Sequence, residues 1–265
     1  MQVFNLRKLQ KVKVMSLLEI NEIFGPTIQG EGKLVGSPSI FIRVGKCNFR
    51  CEGFNVEYET PSGIKKCSCD TYYAVDPAFK DQWQKMSAEN IINKISKIEP
   101  KYKIDIVITG GEPLLYWKND EFQKLLRYYI ENNYKVTIET NASLDITLDK
   151  SYQKEIIFSM SVKLSNSLEP LKKRVNTTTL NTIIDKTKNS YLKFVVDKNF
   201  KKQAEEEIKN ILLQIPRTEV YLMPMGDTAE QINQNSEAVI NLAIKNGFKY
   251  CDRLHIRVWD NKRGV

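Results

Sequence analysis

Apolar residues along this chain fall into two alternating patterns. Short β-branched runs bounded by turn residues form the first: Ser39-Ile40-Phe41-Ile42-Arg43-Val44, between Gly36-Ser37-Pro38 and Gly45, reads as a strand. Residues 104–109, closed by Gly110-Gly111, read the same way, as do 135–139, 156–161, 191–196, 220–223 and 254–259. Within 191–196 only Lys193 interrupts the apolar run. Helical spacing forms the second pattern. Ser87 stands as N-cap before Ile91, Ile92 and Ile95, and residues 122–129, 203–213 and 229–245 are amphipathic, the last stopped by Gly247. Strands that alternate with helices in this way predict parallel βαβ units, hence an α/β fold. About six units are too few for a closed eight-fold barrel, so a partial (incomplete) TIM-like barrel is expected.

No Pro/Ser-rich linker or low-complexity tract divides the chain, which predicts a single domain over residues 15–265. Residues 1–14 carry little pattern, and Met15-Ser16-Leu17 resembles a second start, so the leading segment is expected to be an extension. The chain has 265 residues, 42% hydrophobic and 27% charged, ample for a buried core. There is no apolar run of roughly 18 or more residues that would span a membrane, and no signal-peptide pattern at the start. A cytoplasmic protein without membrane contact is expected.

Forty Lys and Arg against 32 Asp and Glu give a net charge of +8. The surplus is diffuse, with Lys pairs at 65–66, 172–173 and 201–202 and no basic block, so a solvated surface is favoured over a nucleic-acid footprint.

Candidate chemistry gathers just after the strands, where loops build active sites in parallel α/β proteins. Cys47, Cys51, Cys67 and Cys69 follow the 39–44 strand, in a loop expected to span about 46–76. Thr109-Gly110-Gly111-Glu112-Pro113, Glu139-Thr140-Asn141, Ser161-Val162-Lys163 and Met223-Pro224-Met225-Gly226 continue the series. In a reducing compartment such a cysteine cluster points to metal before disulfides. Zinc knuckles use Cys-x2-4-Cys pairs, which the single-residue spacing of Cys67-Ser68-Cys69 suits poorly. Three thiolates on a four-iron cube would leave one iron open for a ligand. Zinc, an iron–sulfur cluster and metal-free reduced cysteines all stay open on spacing alone. Gly110 and Gly111, lacking Cβ atoms, admit close backbone approach. Arg43 offers a bidentate fork for a carboxylate or a partner for a surface ion pair. His255, the one histidine, reads as a strand-embedded structural residue, and Cys251 as a small hydrophobe.

Cys47-Asn48-Phe49-Arg50-Cys51 resembles the Cys-x3-Cys opening of radical S-adenosylmethionine enzymes, and Gly110-Gly111-Glu112-Pro113 is similar to their GGEP motif. With the segment from Glu22 to Gly32, Cys69-Asp70-Thr71 and Glu139-Thr140-Asn141, the resemblance narrows to the 7-carboxy-7-deazaguanine synthase family. These are lyases of 7-deazapurine (queuosine) biosynthesis, and the likeness runs from about residue 19 to the C-terminus.

The resemblance implies conversion of 6-carboxy-5,6,7,8-tetrahydropterin to 7-carboxy-7-deazaguanine with release of ammonia, through a 5′-deoxyadenosyl radical. It implies a [4Fe–4S] cluster on Cys47, Cys51 and Cys69, with Cys67 as the alternative to Cys51, and Mg2+ on Thr71. S-adenosyl-L-methionine would meet Gly110, Gly111, Glu112, Ser161, Lys163, Met223, Pro224, Met225 and Gly226. The pterin would meet Ile28, Gln29, Gly30, Glu31, Arg43, Thr109, Asn141 and the C-terminal Val265. Asp70 would support the site from outside it. An external flavodoxin- or ferredoxin-like electron donor and a homodimer are implied as partners. One departure stands out: residues 52–66 are inserted between Cys51 and the Cys69-Asp70-Thr71 ending, and could help to cover the site. Two rivals are a radical enzyme that activates a protein glycine, which would not need the 22–32 segment, and a zinc-stapled nucleic-acid-binding module using the +8 charge.

Overall fold

The computed structural model describes residues 17–265, so the expected extension 1–14 lies outside the described residues. Among the described residues eleven strands occur, in order β1 (Leu18–Ile28), β2 (Pro38–Val44), β3 (Val56–Glu59), β4 (Lys65–Ser68), β5 (Gln84–Met86), β6 (Asp105–Gly110), β7 (Val136–Thr140), β8 (Ile157–Met160), β9 (Tyr191–Val196), β10 (Val220–Pro224) and β11 (Lys249–Tyr250). The helices are α1 (Tyr72–Val75), α2 (Ala88–Ile95), α3 (Asp120–Glu131), α4 (Ser151–Lys154), α5 (Leu171–Arg174), α6 (Thr177–Lys186), α7 (Lys201–Leu212), α8 (Ala229–Asn246) and α9 (Leu254–Trp259).

Nine strands form one open sheet in the order β11-β10-β9-β8-β7-β6-β2-β1-β5. From β2 to β11 every neighbour is parallel, as the βαβ reading predicts. The β1 and β5 edge departs from it: β1 runs antiparallel to both β2 and β5. Even-numbered residues of the central strands (Ile106, Ile138, Phe158, Leu192, Leu222) join the main core with the helices. Alternation then turns the odd-numbered residues to the other face. There Ile157, Tyr191, Tyr221, Met223 and Cys251 form a second cluster with Leu34 and Val195, so Cys251 does pack as a small hydrophobe.

The helix signals hold locally. Ser87 accepts the Asn90 amide, and Asn119 and Thr228 cap α3 and α8 in the same manner. One assignment fails. Residues 254–259 alternate apolar and polar as a strand would, yet they form α9. Its neighbours decide this: the Leu254 amide donates to the Gly30 carbonyl at 2.8 Å, and Arg257 clasps Asp252 at 2.9 Å. Local preference yields to tertiary contacts over so short a segment. No helix among the described residues is long and apolar enough to cross a membrane.

Phe158 is fully buried in the main core and lies 5.9 Å from the Trp117 ring. Phe158→Ala should lower unfolding free energy by about 3–5 kcal/mol, measured by denaturant titration; a loss below 1 kcal/mol would show that the sheet–helix layer is not the dominant core.

Candidate active site

A cavity of about 640 Å³ opens at the C-terminal ends of the parallel strands. The second face of the sheet supplies its floor: Arg43, Thr109, Glu139, Lys193, Val195 and Met223, at inward odd positions near the strand ends, and Ser161, one residue past β8, all line it. Period-two alternation therefore brings polar side chains from β2, β6, β7 and β9 into one chamber.

The cysteine loop forms one wall. Cys47, Cys51 and Cys69 line the cavity with Phe49 and Phe54. Lys46, Cys51 and Asn55 adopt left-handed backbone conformations, which wind the loop tightly. Glu169 holds it from behind, accepting the Arg50 amide at 2.5 Å and the Cys51 amide at 3.2 Å. The Ser68 hydroxyl donates to the Arg50 carbonyl at 2.6 Å, which brings the second half of the loop back to the first. The 52–66 insertion is the hairpin β3–β4; Tyr58 stacks on Tyr72 at 4.2 Å, and the Tyr58 hydroxyl and Lys66 ammonium both reach Asp76. Phe54, Asn55, Val56 and Glu57 of this insertion line the cavity. Cys67 does not: it is exposed, paired across the hairpin with Glu57, and belongs to a separate small pocket with Arg50, Tyr58 and Asp76.

The Gly110-Gly111-Glu112 turn packs directly on the start of this loop. The Gly111 amide donates to the Val44 carbonyl at 3.0 Å and the Glu112 amide to the Lys46 carbonyl at 2.8 Å. A Cβ on Gly111 would lie 1.9 Å from the Lys46 carbonyl oxygen, and Gly110 has φ +129°. Glu112 is fully buried and does not line the cavity; it accepts from the Leu114 amide (2.9 Å), the Thr140 hydroxyl (2.5 Å) and the Asn141 amide (2.7 Å). Burial pushes its carboxyl above the usual range, and these three bonds only partly offset that. Asn141 faces the cavity, yet its amide group donates to Asn48 and accepts from the Ser143 amide, both at 2.9 Å, so it also braces the cysteine loop.

Opposite the cysteines stands a polar wall. Glu139 accepts from Gln29 at 3.1 Å and from Thr109 at 2.7 Å. Lys193 pairs with Glu31, which also pairs with Arg253 at 2.8 Å, and Arg253 continues to Asp70 at 2.6 Å. The cations outweigh burial and hold the Glu31 and Asp70 carboxyls below their ordinary values. Arg43 bonds Glu22 at 2.7 Å and lies 5.5 Å from the Phe24 ring centre. Lys163 reaches the Ser161 hydroxyl at 3.0 Å. The C-terminal segment crosses the opening: His255, Asp260 and all residues from 261 to Val265 line it, and Arg263 stacks 3.4 Å from the Tyr73 ring centre. His255 is thus a helical cavity residue rather than a strand-embedded one. Burial and the nearby Arg253 charge keep its imidazole below the ordinary value despite Glu31.

The structure therefore brings Ile28, Gln29, Gly30, Glu31, Arg43, Cys47, Cys51, Cys69, Thr71, Thr109, Gly110, Gly111, Asn141, Ser161, Lys163, Met223, Met225, Gly226 and Val265 to one cavity. Glu112, Pro224 and Cys67 stay outside it. Lys193, Arg253 and His255 carry no site role in the sequence reading, and Glu139 enters it only as part of the Glu139-Thr140-Asn141 stretch. A polar side chain at an inward odd position, such as Lys193 in an apolar strand, was the available signal; Arg253 had none.

The chemistry of the cysteine wall fits a cluster: three thiols line one side of the chamber, and thiolates around a cubane attach to separate irons. Burial raises all three thiols, Cys51 to about 12, so they become thiolates only when cationic metal compensates. The Phe49 amide donates to the Cys47 sulfur at 3.4 Å, the kind of bond that tunes such clusters.

Comparison with known proteins agrees. The family of 4Fe-4S single cluster domains matches residues 28–184, so fold and site define an iron–sulfur α/β domain. The chain is 30% identical to 7-carboxy-7-deazaguanine synthase of Halobacterium salinarum over 92% of this chain and 91% of that one. It is 31% identical to the synthase of Rhodopirellula baltica, over 94% and 90% respectively. It therefore belongs to the 7-carboxy-7-deazaguanine synthase family of radical S-adenosylmethionine enzymes. Its cofactors are a [4Fe–4S] cluster and S-adenosylmethionine. The crystal structure of QueE from Escherichia coli shares the fold, with a TM-score of 0.61 at 20% identity over 90% of this chain and 95% of that one.

Asp76 anchors the hairpin and gives it a pH signature. Burial pushes its carboxyl up, but the Ala78 amide, Lys66 and Tyr58 outweigh this and bring it down to about 2. A carboxyl lowered on folding stabilises the protein above its unfolded value and loses that contribution as pH falls through the folded one. Asp76→Asn should cost about 2 kcal/mol at neutral pH, and the deficit should shrink below about pH 4. Urea titrations over that range read it directly; a deficit independent of pH would assign the effect to packing instead.

Proposed function

We propose that this chain converts 6-carboxy-5,6,7,8-tetrahydropterin to 7-carboxy-7-deazaguanine with release of ammonia, a lyase reaction in 7-deazapurine biosynthesis. The observation that carries this reading is the two-walled cavity: three cysteines, Cys51 buried and Cys47 and Cys69 half-buried, on one side, and on the other Gln29 and Glu31 just after β1 with Arg43 of β2 and Thr109 of β6. When bound, the cluster and S-adenosylmethionine supply a 5′-deoxyadenosyl radical that abstracts hydrogen from the substrate.

Cys47, Cys51 and Cys69 hold the cluster, and the enclosure of Cys51 against the exposure of Cys67 supports the first as third ligand. Thr71 offers Mg2+ a hydroxyl oxygen, which suits an all-oxygen shell completed by substrate and water. Ser161, Lys163, Met223, Met225 and Gly226 receive the cofactor's adenosyl part, with Gly110-Gly111 beside its methionine part. Ile28, Gln29 and Gly30 read the pterin's donor–acceptor edge. Gln29 is pre-oriented for this by Glu139, and its carbonyl oxygen is fixed by the Glu31 amide at 3.0 Å. Arg43, steadied through Nε by Glu22, keeps its terminal nitrogens for the substrate carboxylate. The C-terminal segment and the β3–β4 insertion exclude water from the chamber. Because one chamber collects side chains from β2, β6, β7, β9 and β10, the sheet reads as a curled, incomplete barrel. Electrons come from an external flavodoxin- or ferredoxin-like donor, and the chain works as a homodimer.

The test is an oxygen-free assay of reconstituted protein with reductant, S-adenosylmethionine, Mg2+ and the carboxy-tetrahydropterin. Formation of 7-carboxy-7-deazaguanine together with ammonia supports the reading; cofactor cleavage with no such product, on substrate that demonstrably binds, overturns it. Cys51→Ala should lower iron below four per chain and abolish turnover, while Cys67→Ala should leave iron content and rate within about twofold of wild type, since surface substitutions seldom perturb a site. The reverse pattern, read by iron analysis and electron paramagnetic resonance, would make Cys67 the ligand.

A further inference from the structure

Arg253 occupies the linker between β11 and α9, and its guanidinium joins three segments that are far apart in sequence. Its Nε donates to Glu31 at 2.8 Å, one terminal nitrogen to the Gly226 carbonyl at 2.5 Å, and the other to Asp70 at 2.6 Å. Glu31 ends the stretch assigned to the pterin. Asp70 lies between Cys69 and Thr71, on the cluster loop. Gly226 ends the loop assigned to the adenosyl group. The group is largely buried, with its side chain 13% exposed, and Lys193 on the far side of Glu31 balances the charges as two cations against two carboxylates.

We propose that Arg253 is a positioning residue that couples the substrate side of the cavity to the cluster and cofactor side. The proposal rests on the assignment of those three segments above. The argument is geometric. A planar guanidinium presents five N–H donors in fixed directions, so its three acceptors cannot shift independently. A ligand that fixes the Glu31 segment therefore also fixes Asp70 and Gly226 before the second ligand arrives, and that second ligand has less ordering left to impose. A lysine could satisfy one or two of these acceptors without the fork that sets their relative positions. Linkage requires the effect to be reciprocal: pterin tightens cofactor binding by the factor by which cofactor tightens pterin binding.

The experiment is calorimetric titration of cluster-loaded, oxygen-free enzyme without reductant, so that nothing turns over. S-adenosylmethionine is titrated with and without saturating 6-carboxy-5,6,7,8-tetrahydropterin, and then the order is reversed. Wild type should show tightening of roughly fivefold or more, equal in both orders. Arg253→Met should bind both ligands with the ratio reduced to about one, and Arg253→Lys should restore part of it. Equal coupling in wild type and Arg253→Met, or no coupling in wild type with both ligands bound, overturns the proposal. Where Arg253→Met loses the cluster or fails to fold, Asp70→Ala removes the acceptor of one arm; it too should reduce the ratio, and a retained ratio overturns the proposal. Failure of wild type to bind the pterin at all would instead overturn the functional assignment on which the proposal rests.

Discussion

Gly111 lies so near the start of the cysteine loop that a methyl group in its place would sit 1.9 Å from the Lys46 carbonyl oxygen. Two backbone hydrogen bonds, Gly111 to Val44 and Glu112 to Lys46, extend the β2–β6 ladder past the ends of both strands. The cysteines consequently begin from a rigid sheet rather than from a free loop. Glu112 then carries that rigidity sideways. Its fully buried carboxylate gathers the Leu114 amide and the Thr140 and Asn141 groups of the next strand end, and Asn141 passes the constraint back to Asn48 between the first two cysteines. A buried acid whose pKa is raised contributes less stability when ionised than its hydrogen bonds alone would suggest. Its place is explained by the geometry it enforces.

This arrangement moves part of the GGEP motif from ligand to scaffold. The glycines line the cavity, so they can approach a cofactor, but their closest neighbours are protein backbone atoms. The same economy governs the thiols. Each is raised by burial, and the chamber without metal favours neutral sulfur. Metal binding and deprotonation are therefore linked, and the loop geometry has to be held by groups other than the sulfurs themselves. Glu169 and Ser68 do so through the backbone of Arg50 and Cys51.

Strands flanked by turn residues and helices with Ser, Asn or Thr caps were legible in the sequence because both signals are local. The cavity wall was legible in part, since strand ends carried the residues that mattered. What escaped was non-local. β1 has no clean alternation, because register shifts near Ile20 and between Phe24 and Thr27 break its period, with Gly25-Pro26 inside the second. Residues 254–259 alternate like a strand but have only the two-residue β11 beside them, and contacts with Gly30 and Asp252 select a helix. Glu139 and Lys193 were visible as polar residues in apolar strands, yet their role depends on which face is inward. Arg253 acquires meaning only when residues 31, 70 and 226 meet.

The open sheet poses a problem that the charged network answers. A closed barrel shields its chamber by strand pairing, but here β1 and β5 form one edge and β11 the other. The gap is bridged instead by the segment after β1. Leu34 enters the second apolar cluster beside Tyr191 and Tyr221, Lys33 pairs with Glu219 at 2.9 Å, and the Gly30 carbonyl caps the first amide of α9. Glu31 sits at the centre of this bridge, held by Lys193 from β9 and Arg253 from the C-terminal side. Ion pairs and a few backbone bonds can part and re-form with far less disruption than a strand ladder, because each contact is separate. On the proposed reading, a chamber that admits two ligands and then keeps water out would gain from being closed along one side by such contacts, and their position would let the ligands themselves strengthen the closure.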